Sequence, residues 1–409
     1  MKLFHREDYL KKLRPFYDSD LIKVITGIRR CGKSCLMLTV IDELKERGVS
    51  DDHILHLNLD RRGYKSIRKP DQLEAIIASL DGVPGLKYVF IDEVQNVVGF
   101  EEVVNAFREE GDYSIFLTGS NSYLLSGELA TKLTGRHVSF EMFTLNFAEY
   151  LDMKRFLDLE PISSLNAEFD SYLRFGGFPK ALEFDSAEAK LTYTEDVISQ
   201  IMEKDVRGRR KIRDRDRFDR VSSYVINNFG SPTSMTSIAS ALRSPSLPNL
   251  KSTTVKGYIE TLENAEIINQ CQRFDLKSRK SLRGLEKYYL SDLSIYFVRN
   301  TDARVNYGPC LENILYLYLR SKGYSLSIGK IGELECDFIA RKRDSYAYIQ
   351  VAMTIADPAT EDREYRAFSH IRDGYPRYLF TLDPLQQNRD GVHHVNLIEF
   401  MAENRDLDL

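Results

Sequence analysis

The chain has 409 residues, of which 43% are hydrophobic and 29% are charged, and its formal net charge at pH 7 is −4. This length is enough for two or three domains that each bury an apolar core. The near balance of charge excludes a chain that is basic throughout, so any surface for nucleic acid must be local.

Cysteine usage and the apolar runs bear on the compartment. The five cysteines (31, 35, 271, 310 and 336) contain no C-x-x-C pair, which argues against a disulfide framework and favours a reducing compartment. No apolar run approaches the roughly 20 residues that span a bilayer, and residues 1–7 are too polar for a signal peptide. These features predict a cytoplasmic protein with no membrane contact.

The first predicted elements surround a phosphate-binding pattern. Residues 5–20 predict a short amphipathic helix, and the apolar run at 21–25 predicts a strand. The pattern follows directly as Gly27-Ile28-Arg29-Arg30-Cys31-Gly32-Lys33-Ser34. A strand, such a loop and then a helix place backbone N–H groups around phosphate oxygens, which is the arrangement of a P-loop.

Each type of residue in this loop has an expected role. The glycines allow the tight turn, Lys33 is expected to reach the β- and γ-phosphates, and the Ser34 hydroxyl is expected to bind Mg²⁺. The alternative is a chance match in an apolar-flanked loop, but the strand and helix that the motif requires are both predicted. The predicted nucleotide-binding set is Gly27, Ile28, Arg29, Arg30, Cys31, Gly32, Lys33, Ser34 and Cys35.

The next segments predict a strand at 53–59 and a helix at 71–80. On that strand His53 and His56 would lie on opposite faces, so they are expected to be surface or packing residues and not metal ligands. The apolar run at 88–93 then ends in two acids, the form of a Walker B strand. Asp92 is expected to hold Mg²⁺ and Glu93 to polarise the attacking water.

An acid pair at a strand end is also typical of a solvated turn, but with the P-loop it predicts ATP or GTP hydrolysis. The sequence contains no guanine-reading Asn-Lys-x-Asp stretch, which favours adenine. A helix at 100–110 and a strand at 114–118 complete an alternation that predicts an α/β fold with a doubly wound parallel sheet.

Polar residues follow that last strand. Ser120 or Asn121 is expected to sense the γ-phosphate, and the alternative, compatible interpretation is a helix capped by Ser122. Arg136 follows Gly135 at the far side of the nucleotide domain, where an arginine finger for a neighbouring subunit is expected.

The middle of the chain predicts helices and then a charged segment. Residues 145–205 are helical in pattern, broken at 173–179, where Arg174 is either a structural residue or one that reaches nucleotide from a lid. Residues 203–220 predict a solvated helix or linker. A basic subset there is an alternative contact for phosphates: Arg207, Arg209, Arg210, Lys211 and Arg213.

Residues 218–275 predict a winged helix-turn-helix with three helices followed by a wing strand. The first turn of its third helix is the predicted DNA-facing surface, and the candidate residues are Lys251, Thr253, Thr254 and Lys256. Winged helices also serve as protein interaction modules, so both interpretations stay open.

The last part of the chain has the skeleton of a PD-(D/E)XK nuclease. Glu312 lies on a predicted helix, and Glu335 and Asp337 lie on a predicted strand. Such a site also needs an acid and a lysine on the next strand, because carboxylates hold Mg²⁺ and the lysine stabilises charge. Those positions are Gln350 and Ala352, so we expect a nuclease-like fold with little or no nuclease activity.

The whole order resembles prokaryotic AAA-type ATPases of the AAA/STAND group, whose carboxyl-terminal domain is nuclease-like and of unknown function. The resemblance is carried by Gly27 to Ser34, Phe90 to Glu93, Leu117 to Ser122, Gly135-Arg136, Phe175 to Pro179, Glu335 to Phe338 and Tyr348 to Val351. It implies an ATPase core over 1–150, a helical lid over 151–212, a winged helix-turn-helix over 213–285 and a restriction-endonuclease-like α/β domain over 286–409.

The resulting functional prediction is a Mg²⁺-dependent ATPase that couples its nucleotide state to DNA or protein binding, as a homo-oligomer. The catalytic set is Lys33, Asp92, Glu93, Asn121 and Arg136, with Ser34 and Asp92 as the metal ligands. One alternative is a DNA-binding regulator for which ATP is a slow switch. Another is a metal-dependent nuclease.

Overall fold

The fold is that of a computed structural model of the chain. It describes residues 2–119, 133, 135–162, 164–207, 212, 214–244, 250–276, 278, 280–300, 306–331 and 334–409. The chain divides into two compact units. One comprises Met1–Phe143 with Asn264–Glu266, and the other comprises Thr144–Glu263 with Ile267–Leu409.

The first unit alternates helices with the strands of one sheet. Its helices are α1 (Glu7–Leu13), α2 (Lys33–Glu46), α3 (Pro70–Ile77) and α4 (Phe100–Glu110), and its strands are β1 (Ile22–Thr26), β2 (Ile54–Asn58), β3 (Lys87–Asp92), β4 (Tyr113–Thr118) and β5 (His137–Glu141). The strand order is β2-β3-β4-β1-β5, and every pairing is parallel. The predicted α/β fold with a parallel sheet is confirmed.

Burial explains why the three central strands have nearly continuous apolar sequences. Every residue of β1, β3 and β4 is buried, as expected when both faces of a parallel sheet are covered. Lys23, on β1, is buried although its side chain is polar. Its Nζ donates hydrogen bonds to Ser19 O (3.0 Å) and to Ser114 Oγ (2.7 Å). Its burial lowers the pKa of the Lys23 ammonium to about 7.

Three elements of this unit have bounds that differ from those predicted from the sequence. The helix expected over 5–20 covers only α1, because a 3₁₀ turn with Pro15 near its start follows at Arg14–Phe16. The helix expected over 71–80 becomes a 3₁₀ turn from Ala78. His53 lies in a 3₁₀ turn before β2 and not on the strand, and its Nδ1 is 2.9 Å from Asp52 Oδ1.

The second unit combines helices with one mixed sheet. From residue 144 onward the helices are α5 (Phe147–Phe156), α6 (Leu165–Phe175), α7 (Ala187–Gln200) with a π-helical turn Ile201–Arg207, α8 (Arg215–Asn227), α9 (Met235–Ala241), α10 (Ser252–Asn264), α11 (Ser294–Arg299), α12 (Tyr307–Ser321), α13 (Pro358–Arg366) and α14 (Leu397–Ala402). The strands are β6 (Ile268–Asp275), β7 (Lys280–Leu290), β8 (Ser325–Ile331), β9 (Leu334–Lys342), β10 (Ser345–Val351), β11 (Arg377–Thr381) and β12 (Val392–Asn396). They form a sheet in the order β12-β11-β10-β9-β8-β6-β7.

The β6–β7 hairpin is part of this terminal sheet. β6 pairs antiparallel with β7 and parallel with β8. The helices α8, α9 and α10 followed by this hairpin have the element order expected of a winged helix, which itself stays a prediction. The domain boundary predicted between 285 and 286 falls inside β7.

A buried carboxylate explains the glycine pair in the loop after α6. Asp292 accepts hydrogen bonds from Gly177 N (2.8 Å) and Ser294 N (3.0 Å). A Cβ at Gly176 would lie 1.8 Å from Asp292 Oδ1, and a Cβ at Gly177 would lie 2.2 Å from Leu145 O. Because no side chain fits at either position, glycine is required there for space. Arg174, just before this loop, is exposed on α6.

The helices of the chain are short or carry charged residues. Within the ranges that the structure describes, none of the helices combines the length and apolar content that a membrane span requires.

Candidate active site

The phosphate loop has the predicted strand–loop–helix context. β1 ends at Thr26, Gly27 adopts φ +148°, Gly32 adopts φ +110° at the N-cap position, and α2 begins at Lys33. A Cβ at Gly27 would lie 2.1 Å from the Met142 carbonyl oxygen. The loop therefore leaves no space for a side chain at Gly27 and leads directly into a helix N-terminus, which favours anions.

The remaining loop residues differ in exposure. Ile28 and Cys31 are buried, Arg29 and Ser34 are half-buried, and Arg30 is exposed with a left-handed φ of +71°. Burial raises the pKa of the Cys31 thiol. Cys35, on the first turn of α2, is exposed, and all five cysteines are free thiols.

The Lys33 side chain lies across its own loop. It is only 5% exposed, and its Nζ donates to Gly27 O (2.6 Å) and Ile28 O (3.1 Å). Both acceptors are neutral carbonyls in this state. A phosphate oxygen would be a stronger, charge-assisted acceptor for the same ammonium, so the site fits a polyphosphate.

Asp92 is held at the end of β3 by two polar neighbours. The carboxylate is buried, with 1% exposure, and it accepts hydrogen bonds from Asn58 Nδ2 (2.8 Å) and from the Thr118 hydroxyl. Asn58 ends β2 and Thr118 ends β4, the two strands beside β3. Neither was among the predicted site residues. The signal in the sequence is a polar residue at the end of each apolar strand.

Glu93 turns sharply out of the strand. It is a non-glycine residue with φ +58°, a conformation that costs of order 1–3 kcal/mol and persists only where the surroundings fix it. Its backbone N donates to Thr118 Oγ1 (3.2 Å), and Gln95 Nε2 donates to its carboxylate. The same threonine hydroxyl therefore positions both acids.

Sheet pairing brings these groups to one edge. β4 pairs with β1 through Ile25 and Thr118 and with β3 through Ile91 and Leu117. The strand leading into the P-loop and the strand ending in Asp92 are therefore separated by β4 alone. This arrangement collects Lys33, Asp92 and Glu93 at the carboxyl edge. Ser120 and Asn121, which follow β4, lie outside the described residues.

Arg136 lies at the other edge of the same sheet. Its carbonyl accepts from Ile22 N (2.9 Å), and the next residue, His137, pairs with Ile22 at the start of β1. The guanidinium donates to Asn105 Oδ1 (3.2 Å) and lies 3.7 Å from Glu109 Oε1. The structure therefore does not bring Arg136 to the P-loop of its own chain.

The predicted DNA-facing residues lie at the start of α10. Lys251, Thr253 and Lys256 are exposed and Thr254 is half-buried. The Lys256 ammonium is 3.8 Å from Glu260 Oε1, which partly balances its charge. Of the basic subset near residue 210, Arg207 ends the π-helical turn, and the other four residues lie outside the described ranges.

The three acids of the nuclease-like pattern lie close to a lysine that this pattern did not predict. Lys287 Nζ, on β7, is 3.0 Å from Glu312 Oε2, 3.4 Å from Glu335 Oε1 and 3.6 Å from Asp337 Oδ1. We call these four residues the carboxylate–lysine cluster. The cluster thus contains an ammonium from β7, whereas the position at which the pattern expects a lysine is Ala352.

Burial and the charges of their neighbours shift the pKa values of three residues of this cluster: Lys287, Glu312 and Asp337. Burial raises the pKa of Glu312, and Lys287 partly offsets the shift. Burial and the Glu312 charge raise the pKa of Asp337 to about 8. Burial lowers the pKa of Lys287, but Glu312, Asp337 and Glu335 outweigh it and raise the pKa overall. In the described part of the chain, no group of three or more His, Cys, Asp or Glu side chains is arranged to hold a metal ion.

Replacing Lys287 tests how much the carboxylate–lysine cluster contributes to the stability of the fold. We expect Lys287→Met to lower the free energy of unfolding by about 3–5 kcal/mol at pH 8, because it leaves buried carboxylates without a counter-ion. The loss should be smaller at pH 5, where the folded protein can keep these carboxyls protonated. Urea unfolding at both pH values measures it. Lys280→Met, an exposed position on the same strand, is the control, and an equal, pH-independent loss in both variants would contradict the assignment.

Comparison with known proteins identifies two matched regions. An AAA domain model matches residues 19–151, and a model described as Domain of unknown function (DUF8612) matches residues 166–301. The second match covers helices α6 to α11 and the β6–β7 hairpin. The domain of unknown function therefore does not coincide with the predicted nuclease-like region at 286–409.

Similar proteins cover nearly the whole chain. An uncharacterised protein of Haemophilus influenzae is 32% identical over 407 residues, covering 98% of this chain and 99% of that protein. An uncharacterised protein of Methanocaldococcus jannaschii is 29% identical over 389 residues, covering 92% of this chain and 84% of that protein.

Among solved structures, a Walker-type ATPase of Pyrococcus abyssi has a similar fold. The TM-score is 0.51 at 15% identity, over 73% of this chain and 96% of that chain. The chain belongs to the family of the Haemophilus influenzae protein, and within it residues 19–151 form an AAA domain of the P-loop ATPase type.

Proposed function

We propose that this protein binds ATP with Mg²⁺ at its P-loop, hydrolyses it, and uses the nucleotide state to control binding of DNA or protein. The observation that carries the proposal is the arrangement of Asp92 and Glu93 around one threonine hydroxyl, one strand away from a P-loop with a buried lysine. Those are the parts that phosphoryl transfer to water requires.

Each residue of the site has a separate role in this proposal. Lys33 binds phosphate oxygens, while the Ser34 hydroxyl and the Asp92 carboxylate supply oxygen ligands of the kind that Mg²⁺ prefers. Mg²⁺, when bound, neutralises the charge of the phosphates. Glu93 accepts the proton of the attacking water. Asn58 and Thr118 fix the orientation of Asp92 through the hydrogen bonds described above.

Two substitutions separate binding from hydrolysis. We expect Lys33→Ala to abolish ATP hydrolysis and weaken ATP binding, because it removes the phosphate-binding ammonium. Glu93→Gln should keep ATP binding and lower kcat by about 10²–10⁴-fold, the usual contribution of a general base. Steady-state phosphate release and equilibrium binding of a fluorescent ATP analogue measure the two effects.

The control is Lys45→Ala on the same helix, whose exposed ammonium pairs with Asp51 at 2.6 Å. It should hydrolyse ATP at the wild-type rate. Wild-type turnover in Lys33→Ala would contradict the proposed site.

The position of Arg136 favours action between subunits. It lies at the sheet edge opposite its own P-loop and is 43% exposed, so we propose that it stabilises the transition state in a neighbouring copy of the chain. Activity per subunit should then rise with protein concentration, because a lone subunit would hydrolyse ATP slowly.

Mixing inactive variants tests this directly. We expect Arg136→Ala to bind ATP normally but to hydrolyse it about 10³-fold more slowly, in line with other arginine fingers. Mixing Arg136→Ala with Lys33→Ala should restore part of the activity, because one variant supplies the P-loop and the other the arginine. Arg62→Ala, at an exposed position, is the control. Wild-type turnover in Arg136→Ala, or no recovery on mixing, would reject the role.

A second candidate function is DNA-binding regulation with ATP as a slow switch. It is favoured by the order of α8, α9, α10 and the β6–β7 hairpin, with Lys251 and Thr253 exposed at the start of α10. A protein partner at this surface is the competing interpretation.

Salt dependence distinguishes these two partners. We expect the double substitution Lys251→Ala and Lys256→Ala to weaken duplex DNA binding and to reduce the slope of log K against log salt by about 0.9 for each phosphate that is no longer neutralised. Fluorescence anisotropy with and without ATP measures both quantities, and Lys180→Ala, an exposed lysine elsewhere in the second unit, is the control. A wild-type protein that retains no duplex DNA at low salt would exclude DNA as the partner.

A further inference from the structure

A half-open groove lies over the terminal sheet, and its lining includes no residue of α10 or of the carboxylate–lysine cluster. Its volume is about 1170 Å³, and it is bounded by β6, β8, β9, β10 and the segment 370–375. All of these elements belong to the second unit. Small-molecule pockets usually measure about 300–1,000 Å³, so the groove is large enough for a segment of a polymer.

Two tyrosine rings form one side of the groove. The centroids of Tyr346, on β10, and Tyr375 are 4.0 Å apart, with their planes at 49°. Asp373 fixes the turn that carries Tyr375, because it accepts from Tyr375 N (3.2 Å) and from the Tyr348 hydroxyl (2.6 Å). Both residues pack against the core of the terminal sheet but are only half-buried, so part of each ring is accessible for stacking.

Two arginines give the groove a positive character. Arg341, on β9, and Arg372 both line it and are exposed. Neither guanidinium has an ion pair or a hydrogen bond with any residue that the structure describes. The one carboxylate on the lining, Asp373, is already engaged by the contacts above. This local charge contrasts with the net charge of −4 for the whole chain.

The groove is lined by polar and apolar side chains. Gln270 and Gln272 of β6 and Ser325 and Ser327 of β8 bring amide and hydroxyl groups to the groove, next to the apolar side chains of Phe274, Leu326 and Ile339. Such groups donate and accept hydrogen bonds. They suit the edges of unpaired bases.

We propose that this groove binds single-stranded nucleic acid. Tyr346 and Tyr375 stack bases, Arg341 and Arg372 contact phosphates, and the glutamine and serine side chains of the lining contact base edges. Aromatic stacking together with guanidinium contacts is the usual recognition of single strands, whose bases are exposed. A duplex hides its base faces and cannot use the tyrosines. The proposal does not rest on ATP hydrolysis or on α10.

Binding of labelled oligonucleotides to the full chain tests the proposal. Single-stranded DNA, single-stranded RNA and the duplex of the same sequence are titrated at low salt, with anisotropy as the readout. We expect a single strand to bind more tightly than the duplex, and the stronger of the DNA and RNA titrations identifies the sugar. The double substitution Arg341→Ala and Arg372→Ala should lower the slope of log K against log salt by about 1.4, or 0.7 for each phosphate contact.

The aromatic contacts have a matched pair of variants. Tyr346→Leu should weaken single-strand binding about tenfold, the usual effect of losing one stacked base. Tyr346→Phe keeps the ring and should bind like the wild type, which separates stacking from misfolding. Arg366→Ala, at an exposed position on the nearby helix α13, should also bind like the wild type.

Three results would overturn the proposal. The first is no single-strand binding at low salt, or binding that the arginine and tyrosine variants do not change. The second is full competition by a mononucleotide, which would make the occupant a small molecule. The third is a change of oligomeric state in the arginine double variant without any nucleic-acid binding, which would make the groove a contact between copies of the chain.

Discussion

The hydrogen bond from the Thr118 hydroxyl to the Asp92 carboxylate is the interaction on which the candidate ATPase site depends. Thr118 ends a strand that pairs on one side with the P-loop strand and on the other with the strand that carries both acids. Its oxygen also receives the Glu93 backbone N–H. A shift of this one side chain would therefore move Asp92, the proposed metal ligand, and Glu93, the proposed general base, together, and catalysis is sensitive to displacements of about 1 Å.

Lack of space, in addition to backbone conformation, explains the most informative glycines. Gly27 lies against the Met142 carbonyl in the first unit, and the pair Gly176 and Gly177 lies against Asp292 and the Leu145 carbonyl in the second. In each place a backbone passes so close to another group that a Cβ would overlap it. These two loops, which both contribute to the family resemblance, are therefore points where separate segments of the chain are packed together.

The strands of the first sheet were predicted well because each can be recognised from a short run of consecutive residues. Apolar runs of strand length, each followed by turn residues or a helix start, indicate strands, and a P-loop needs only consecutive residues. Asn58 and Thr118 were missed because their role depends on strand order, which places them beside Asp92 only after folding. Arg136 was placed at the far side of the domain by sequence order alone, and the pairing of β5 with β1 gives that position a structural reason.

The sequence patterns did not predict the position of Lys287 or the pairing of β6 with β8, and both omissions have a physical reason. The lysine comes from β7, well before the two strands that carry the nuclease-like pattern, so a pattern that expects it on the second strand of a hairpin finds Ala352 instead. The boundary predicted between 285 and 286 assigns β6 and the terminal strands to different domains. The pairing of β6 with β8 joins them through hydrogen bonds between residues more than 50 positions apart, and no local periodicity records such a pairing.

The distribution of thiols around the phosphate loop has a chemical consequence. Cys31, Cys271, Cys310 and Cys336 are buried, whereas Cys35 is exposed one residue after Ser34. Alkylation of a cysteine requires an accessible thiolate, so Cys35, on the helix turn that begins the candidate nucleotide site, is the one exposed thiol among the five cysteines. Alkylation of the thiols of the native protein would therefore alter the rim of the proposed ATP site before it reached the buried cysteines.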